Sequence, residues 1–159
     1  MHQRPLVAIV LLSVVVAGCS GETRPPTETK APAAAAAATS TTDMEAAIAH
    51  HVTTVKAADV DGVMADYAAD AILVSPPGLV TPTGTFVGKD KVREFFVWLA
   101  TPAALPAAQS MVTTNEVVGP NTMLFRWTQF PGTPKEVKGY DIFVFRDGKI
   151  IFQTTAPNP

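Results

Sequence analysis

Two titratable side chains fall where the sequence predicts an apolar environment. His51 lies at helical spacing from Ile48 and Val55, on the apolar side of a predicted helix. Asp141 alternates with Phe143 and Phe145 along a predicted strand, so the three side chains share one face of a sheet. A carboxyl group beside aromatic rings is partly desolvated, which favours its neutral form and lets it donate a hydrogen bond to a ligand oxygen. His51 could donate in the same way, or it could pair with Asp141.

Each candidate also has a purely structural interpretation. A histidine on an apolar helix face is commonly a core residue with its hydrogen bonds satisfied, and Asp141 could bond a neighbouring loop or helix end. Ser75 ends an apolar strand before two prolines, where it could cap a turn. Four large aromatic side chains could line a pocket, although plain core packing is the commoner role of such residues: Tyr67, Phe86, Trp98 and Trp127.

Other chemistries lack the residues that they need. Three histidines and one cysteine make no metal-ligand set, and neither a glycine-rich phosphate loop nor a nucleophile turn is visible. We therefore expect no metal and no other cofactor. The net charge of −2 provides no basic excess for binding nucleic acid, and 159 residues suggest one domain.

Three helices are predicted in the first part of the chain. Thr42 and Glu45 have the spacing of a capping box, so the first helix is expected to begin there. The apolar side of the second helix is expected to end with Tyr67. The other boundaries are marked by Asp59 or Asp61 before the second helix, Gly88 before the third, and Pro102 and Pro106 after the third.

Strands dominate the rest of the sequence. Asp147-Gly148 is a hairpin signal between two of them. Helices gathered first and antiparallel strands last predict an α+β fold, with the helices on one face of a curved sheet. The predicted strands are 71–74, 85–87, 109–118, 122–130, 137–146 and 149–155.

Three stretches together resemble the SnoaL-like and NTF2-like superfamily: "AADVDGVMADYAADAILVSPPG", "GTFVGKDKVREFF" and "YDIFVFRDGKIIF". The resemblance covers residues 43–159. It implies an NTF2-like (cystatin-like) cone, in which three N-terminal helices pack on a curved antiparallel sheet and a pocket opens at the mouth. The superfamily includes steroid isomerases, polyketide cyclases, epoxide hydrolases and transport factors, and its members frequently form a homodimer through the sheet face.

The isomerases of this superfamily give the sharpest comparison of residues. Matching their strand to "DAILVSPPG" places the position of their carboxylate base at Ser75. A neutral serine cannot accept a proton from carbon without a base to activate it. The same resemblance maps the isomerase tyrosine donor to His51 and the protonated aspartic acid to Asp141.

The N-terminus has the three-part pattern of a secretory signal. A short positive start is followed by the apolar run "PLVAIVLLSVVV" and then by Ala17-Gly18-Cys19. The run is about a dozen residues, short of the ~20 that a permanent membrane helix needs. The tetrad from Val16 to Cys19 resembles the lipobox of bacterial lipoproteins, which implies cleavage after residue 18, a diacylglyceryl group on Cys19 and a further acyl chain such as palmitate. Ser20 then favours the outer membrane in a cell that has two membranes.

These features divide the chain into a signal peptide at 1–18, the lipidated Cys19 with a Pro/Ala/Thr tether at 19–42, and a folded domain at 43–159. The sequence favours a binding module that is held by its lipid at the bacterial cell envelope and takes a small apolar ligand or a partner. The alternative is an enzyme that uses Asp141 and His51 on a hydrophobic substrate. A third possibility is an interaction domain that forms a homodimer through the sheet face.

Overall fold

The computed structural model describes residues 38–158. The predicted signal peptide and Cys19 lie outside the described residues, as does most of the predicted tether. Along the described chain the elements are α1 Thr41–Lys56, α2 Val60–Ala65, β1 Tyr67–Val74, β2 Thr85–Val87, α3 Lys89–Leu99, α4 Leu105–Ser110, β3 Val112–Gly119, β4 Thr122–Gln129, β5 Val137–Arg146 and β6 Lys149–Pro157.

The first helix begins earlier than predicted. Its N-cap is Ser40, whose Oγ accepts a hydrogen bond from the backbone N–H of Asp43 at 3.1 Å. The predicted cap at Thr42 is therefore wrong, because Ser40 already satisfies a free N–H of the first turn. Asp59 caps α2 as predicted, by accepting from Gly62 N at 2.9 Å. Tyr67 does not continue α2 but opens β1.

A fourth helix, which the sequence analysis did not predict, follows α3 and takes up the beginning of the strand predicted at 109–118. Pro106 lies in the first turn of α4 rather than ending a helix. A proline is tolerated there because the N–H that it lacks would have no partner in the helix. Lys56 Nζ donates to the carbonyl oxygen of Met111 at 2.7 Å, so the end of α1 is tied to the end of α4.

The six strands form one sheet in the order β2-β1-β6-β5-β4-β3. Neighbours are antiparallel except β1 and β6, which are parallel. The inner face carries the core, and Phe143, Phe145, Met123 and Ile150 are fully buried there. The α+β prediction is confirmed, and β5 lies over its full predicted range, 137–146.

The opposite side and the far edge of the sheet carry apolar side chains that are exposed in this chain. They are Val112, Val117, Val118, Val137 and Tyr140. Within residues 38–158, no helix is both long and apolar enough to cross a bilayer.

Candidate functional site

A cavity of about 570 Å³ lies between helices α1, α3 and α4 and the inner face of β4, β5 and β6. Leu79, Ala103 and Pro157 line it and are exposed, so the cavity opens to solvent on that side. Its polar side chains are few, with His51, Asp141, Gln153 and Thr155 among them. The aromatic part of its wall consists of Phe95, Phe96, Trp98, Phe125 and Trp127.

Asp141 is a buried carboxylate at the centre of this wall, with 6% of its surface exposed. Trp127 on β4 donates through Nε1 to Oδ1 at 2.8 Å, and Gln153 on β6 donates through Nε2 to Oδ2 at 2.7 Å. Both are diagonal cross-strand neighbours of Asp141, within reach for long side chains. Thr155 lies directly opposite Asp141 on β6. The prediction that Asp141 faces inward with Phe143 is thus confirmed by its burial.

The charge state of Asp141 is set by opposing effects. Burial raises its pKa above the ordinary value for aspartate, and this is the largest effect. Polar contacts with Gln153, Thr155 and Trp127 lower the pKa in part. The group therefore binds a proton more tightly than a solvated aspartate, while its neighbours are arranged to stabilise the anion.

Tyr67 does not line the cavity, but it is hydrogen-bonded to Asp141 indirectly, through Gln153. Its hydroxyl donates to Oε1 of Gln153, which turns the amide so that Nε2 points to Asp141. Burial, with smaller contributions from the charges of Asp141 and Asp66, raises the pKa of Tyr67 well above its usual range. The hydroxyl therefore stays protonated and remains a donor.

Gly139 makes room for the Trp127 ring. A Cβ atom built on Gly139 would stand 2.1 Å from Cζ2 of Trp127 and 2.5 Å from the carbonyl oxygen of Ala156. The indole therefore lies directly against the bare backbone of β5, in the position from which Nε1 reaches Asp141. The only sequence signal for this contact was a glycine inside a strand, which marks close approach of another group.

His51 is buried on the inner side of α1, as its spacing predicted, with 5% of its surface exposed. Its ring meets those of Tyr67, Phe96 and Phe143 edge-on, with centroids 5.4 to 5.8 Å apart. Nδ1 lies 3.7 Å from Oδ2 of Asp66, and neither of these buried atoms has a hydrogen-bond partner among the described residues. Pairing with Asp141 was one alternative for His51, but among the described residues the carboxylate that its ring approaches is that of Asp66, which the sequence analysis did not single out.

Of the seven residues predicted to bind a ligand, the fold brings His51, Trp98, Trp127 and Asp141 to the cavity. Tyr67, Ser75 and Phe86 are buried but do not line it. Tyr67 is covered by Gln153, and Phe86 packs on Phe95 with centroids 5.7 Å apart. Ser75 Oγ lies 3.4 Å from the carbonyl oxygens of Pro76 and Gly84, in the turn that follows β1, which agrees with its structural interpretation.

Comparison with known proteins identifies the fold. The sequence model of the family described as "SnoaL-like domain" matches residues 48–153. Among solved structures, an NTF-2 like protein of unknown function from Burkholderia xenovorans LB400 is similar at 19% identity, with a TM-score of 0.57 over 74% of this chain and 84% of that chain. A protein of unknown function with a cystatin-like fold from Methylobium petroleophilum PM1 has 18% identity and a TM-score of 0.59, over 77% of this chain and 80% of that one.

A third similar structure is that of TerC, co-crystallized with polyporic acid. It has 17% identity and a TM-score of 0.55, over 73% of this chain and 92% of that chain. A search of curated proteins gave no significant match. At these identities the structural likenesses bear on the fold alone, and they confirm the cone that the sequence motifs predicted.

Proposed function

The chain belongs to the SnoaL-like domain family. From that premise we propose that its domain binds a small, largely apolar molecule without transforming it. We further propose that a lipid on Cys19 holds the protein at a membrane. The observation that carries the binding proposal is the cavity, which is open to solvent, walled mainly by aromatic and aliphatic side chains, and supplied with a few polar groups around Asp141.

The size and the lining of the cavity support this function. Ligand pockets usually measure roughly 300 to 1,000 Å³, and a few well-placed polar groups in an apolar wall fix the orientation of the ligand. The volume of about 570 Å³ falls inside that range. TerC, which shares the fold, was crystallized with the organic molecule polyporic acid, and this also supports a cavity that takes organic ligands.

The position of Ser75 supports binding over catalysis. This residue stands where the resemblance to isomerases places a carboxylate base, and its hydroxyl lies in a turn rather than in the cavity. A hydroxyl without an activating base cannot take a proton from carbon. The chemistry of the isomerases therefore lacks its proton acceptor here.

The lipid anchor rests on the sequence pattern around Cys19. Two or more acyl chains hold a protein stably on a bilayer, whereas a single chain gives marginal binding. In this proposal the anchor keeps the domain at the membrane, into which apolar molecules partition.

Native mass spectrometry of the full chain purified from cells tests the binding function, followed by titration with the fluorescent apolar amine N-phenyl-1-naphthylamine. We expect a retained molecule or saturable uptake of the probe by the protein. Ala107→Phe should abolish binding because Ala107 lines the cavity, whereas Ala65→Phe should not because Ala65 is exposed and outside it. Equal binding by both variants, or no binding by the unmodified chain, would refute the proposal.

An enzyme remains the second candidate, since His51 and Asp141 line the same cavity. Both are titratable, and such a pair can transfer protons to and from a bound substrate. The molecule found by native mass spectrometry decides between the two functions. Incubation with the protein should leave its mass and its NMR spectrum unchanged, whereas turnover that is lost in Asp141→Asn would establish the enzyme.

A further inference from the structure

His51 lines the cavity and Asp66 does not, and each has a buried polar atom that faces the other without a hydrogen-bond partner among the described residues. The two atoms are Nδ1 of His51 and Oδ2 of Asp66, 3.7 Å apart. Buried polar groups in native proteins are nearly always paired. A shift of about 0.5 Å would bring the two atoms within hydrogen-bond distance, and contacts of this kind are often long before a ligand binds.

Asp66 is held rigidly enough to orient His51. Its other carboxylate oxygen, Oδ1, lies 2.8 Å from Nδ1 of His50. Both polar groups of its backbone are hydrogen-bonded, because its N–H donates to the carbonyl oxygen of Val63 and its carbonyl oxygen accepts from the N–H of Ile150. The side chain of His50 is 52% exposed, so Asp66 lies between a solvent-facing histidine and the buried His51.

The chemistry of this contact fixes which nitrogen of His51 carries the proton. An ionised carboxylate can only accept hydrogen bonds, so the nitrogen that faces Asp66 must be the protonated one. A neutral imidazole has a single N–H, and its second nitrogen is then a bare acceptor. Because Nδ1 is directed to Asp66 and His51 lines the cavity, Nε2 is the nitrogen that remains for a ligand.

Asp141 presents the same kind of group to the cavity. Its two oxygens accept from Trp127 and Gln153, and Gln153 in turn accepts from Tyr67. In each of these three hydrogen bonds, the donor lies on the side away from the carboxylate and the acceptor on the side toward it. A ligand that meets both Asp141 and His51 finds acceptors and must supply the hydrogen.

We propose that Asp66 is a positioning residue that keeps the proton of His51 on Nδ1, so that Nε2 of His51 and the carboxylate of Asp141 together select an apolar molecule that carries a hydroxyl group. The hydroxyl preference rests on the proposed binding function, whereas the role of Asp66 does not.

Among residues 38–158, Asp66 is the only residue whose carboxylate lies within 4 Å of a ring nitrogen of His51. Around the ring are the hydroxyl-bearing Tyr67 on β1 and the apolar rings of Phe96 on α3 and Phe143 on β5. Asp141 acts on His51 only through space, without a hydrogen bond between them in the structure. The tautomer consequently reports on Asp66.

Long-range ¹H–¹⁵N NMR spectra of the full chain test the positioning role without any ligand, because they distinguish a protonated ring nitrogen from a bare one. At neutral pH we expect the proton of His51 on Nδ1. Asp66→Asn should move it to Nε2, since an amide can donate to Nδ1, and His50→Ala should leave it on Nδ1. A proton on Nε2 in the unmodified protein overturns the proposal, even if Asp66→Asn fails to fold.

Three biphenyls with different substituents at the same ring position test the ligand class: 4-phenylphenol, 4-methoxybiphenyl and 4-acetylbiphenyl. The first can donate a hydrogen bond and the other two can only accept, so by calorimetry we expect it to bind at least about tenfold more tightly, the value of one buried hydrogen bond. His51→Phe should reduce this advantage. Equal or tighter binding of the ether or the ketone overturns the hydroxyl preference.

Failure of the binding function is distinguishable from failure of this inference. If neither the biphenyls nor N-phenyl-1-naphthylamine binds, the proposed function and the hydroxyl preference both fall. The positioning role of Asp66 would then stand or fall with the NMR measurement alone.

Discussion

The contact of Gly139 with Trp127 gives the most demanding test of the site. Gly139→Ala adds one methyl group, whose carbon would stand 2.1 Å from Cζ2 of Trp127 and 2.5 Å from the carbonyl oxygen of Ala156. The indole can move away from the first clash, but only by giving up the hydrogen bond from Nε1 to Asp141. The second clash involves backbone on β6, so it can be relieved only if the two strands shift.

The expected cost follows from these contacts. A hydrogen bond to a charged group contributes about 1.5 to 3 kcal/mol, and overpacking of a well-filled site costs roughly 1 to 3 kcal/mol. Alanine restricts the unfolded chain more than glycine does, which returns about 0.4 to 1 kcal/mol. We therefore expect Gly139→Ala to lower the free energy of unfolding by about 2 to 5 kcal/mol.

Urea unfolding followed by circular dichroism measures this loss. Gly119→Ala is the matched control, because Gly119 is also a strand glycine and a Cβ there would meet only Thr122 Cβ at an ordinary 3.9 Å. The control should be neutral or slightly stabilising. In a Trp98→Phe background the emission of Trp127 can be followed alone, since the chain has two tryptophans, and it should shift in Gly139→Ala.

Unchanged stability and unchanged emission in Gly139→Ala would refute the geometry described here. The ring of Trp127 would then not lie against β5, and its hydrogen bond to Asp141 would lose its structural basis. A loss of stability as large in Gly119→Ala would show that the effect belongs to strand glycines in general.

Three further predictions concern the buried carboxyl, the anchor and the outer face of the sheet. Burial raises the pKa of Asp141 in the folded chain, so its contribution to stability is fully present below the ordinary pKa of aspartate and is lost as pH rises through the folded value. Asp141→Asn should fold, remove that part of the pH dependence and weaken ligand binding. If the variant does not fold, the role of Asp141 is structural. Cys19→Ser should move the protein from the membrane fraction to the soluble fraction, and continued membrane retention would rule out lipidation. If the exposed sheet face forms a homodimer, sedimentation should show a dimer that Tyr140→Glu converts to a monomer, whereas a monomeric unmodified chain would exclude it.

The sequence predicted elements well wherever one residue pattern dominated. The alternation along 137–146 predicted β5 and the burial of Asp141 in it, because one face of that strand packs on the core. It failed where a residue has two structural uses. Pro106 can end a helix or open one, and only the packing of α4 against α1 selects the second.

The site was predictable only in part, because its partners are distant along the chain. His51 and Asp141 carried a signal, a polar group within an apolar pattern. Asp66 is one of three aspartates in a small acidic cluster with Asp59 and Asp61, and Gln153 is one polar position in a predicted strand. Neither has a local feature that predicts its contact across 15 residues or 12 residues of sequence, respectively.

The position of β6 in the sheet has a consequence for how the protein is made. Strand β6 follows the other described strands in sequence, yet it is not at an edge but third in the order, joined to β1 on one side and to β5 on the other. During synthesis, the pair of strands β1 and β2 can therefore form no sheet hydrogen bonds with the meander of β3 to β5 through β6 until residues 149–157 have left the ribosome. A nascent chain that lacks residues 149–157 lacks the strand that joins β1 to β5, so both of these strands have an open edge that invites aggregation.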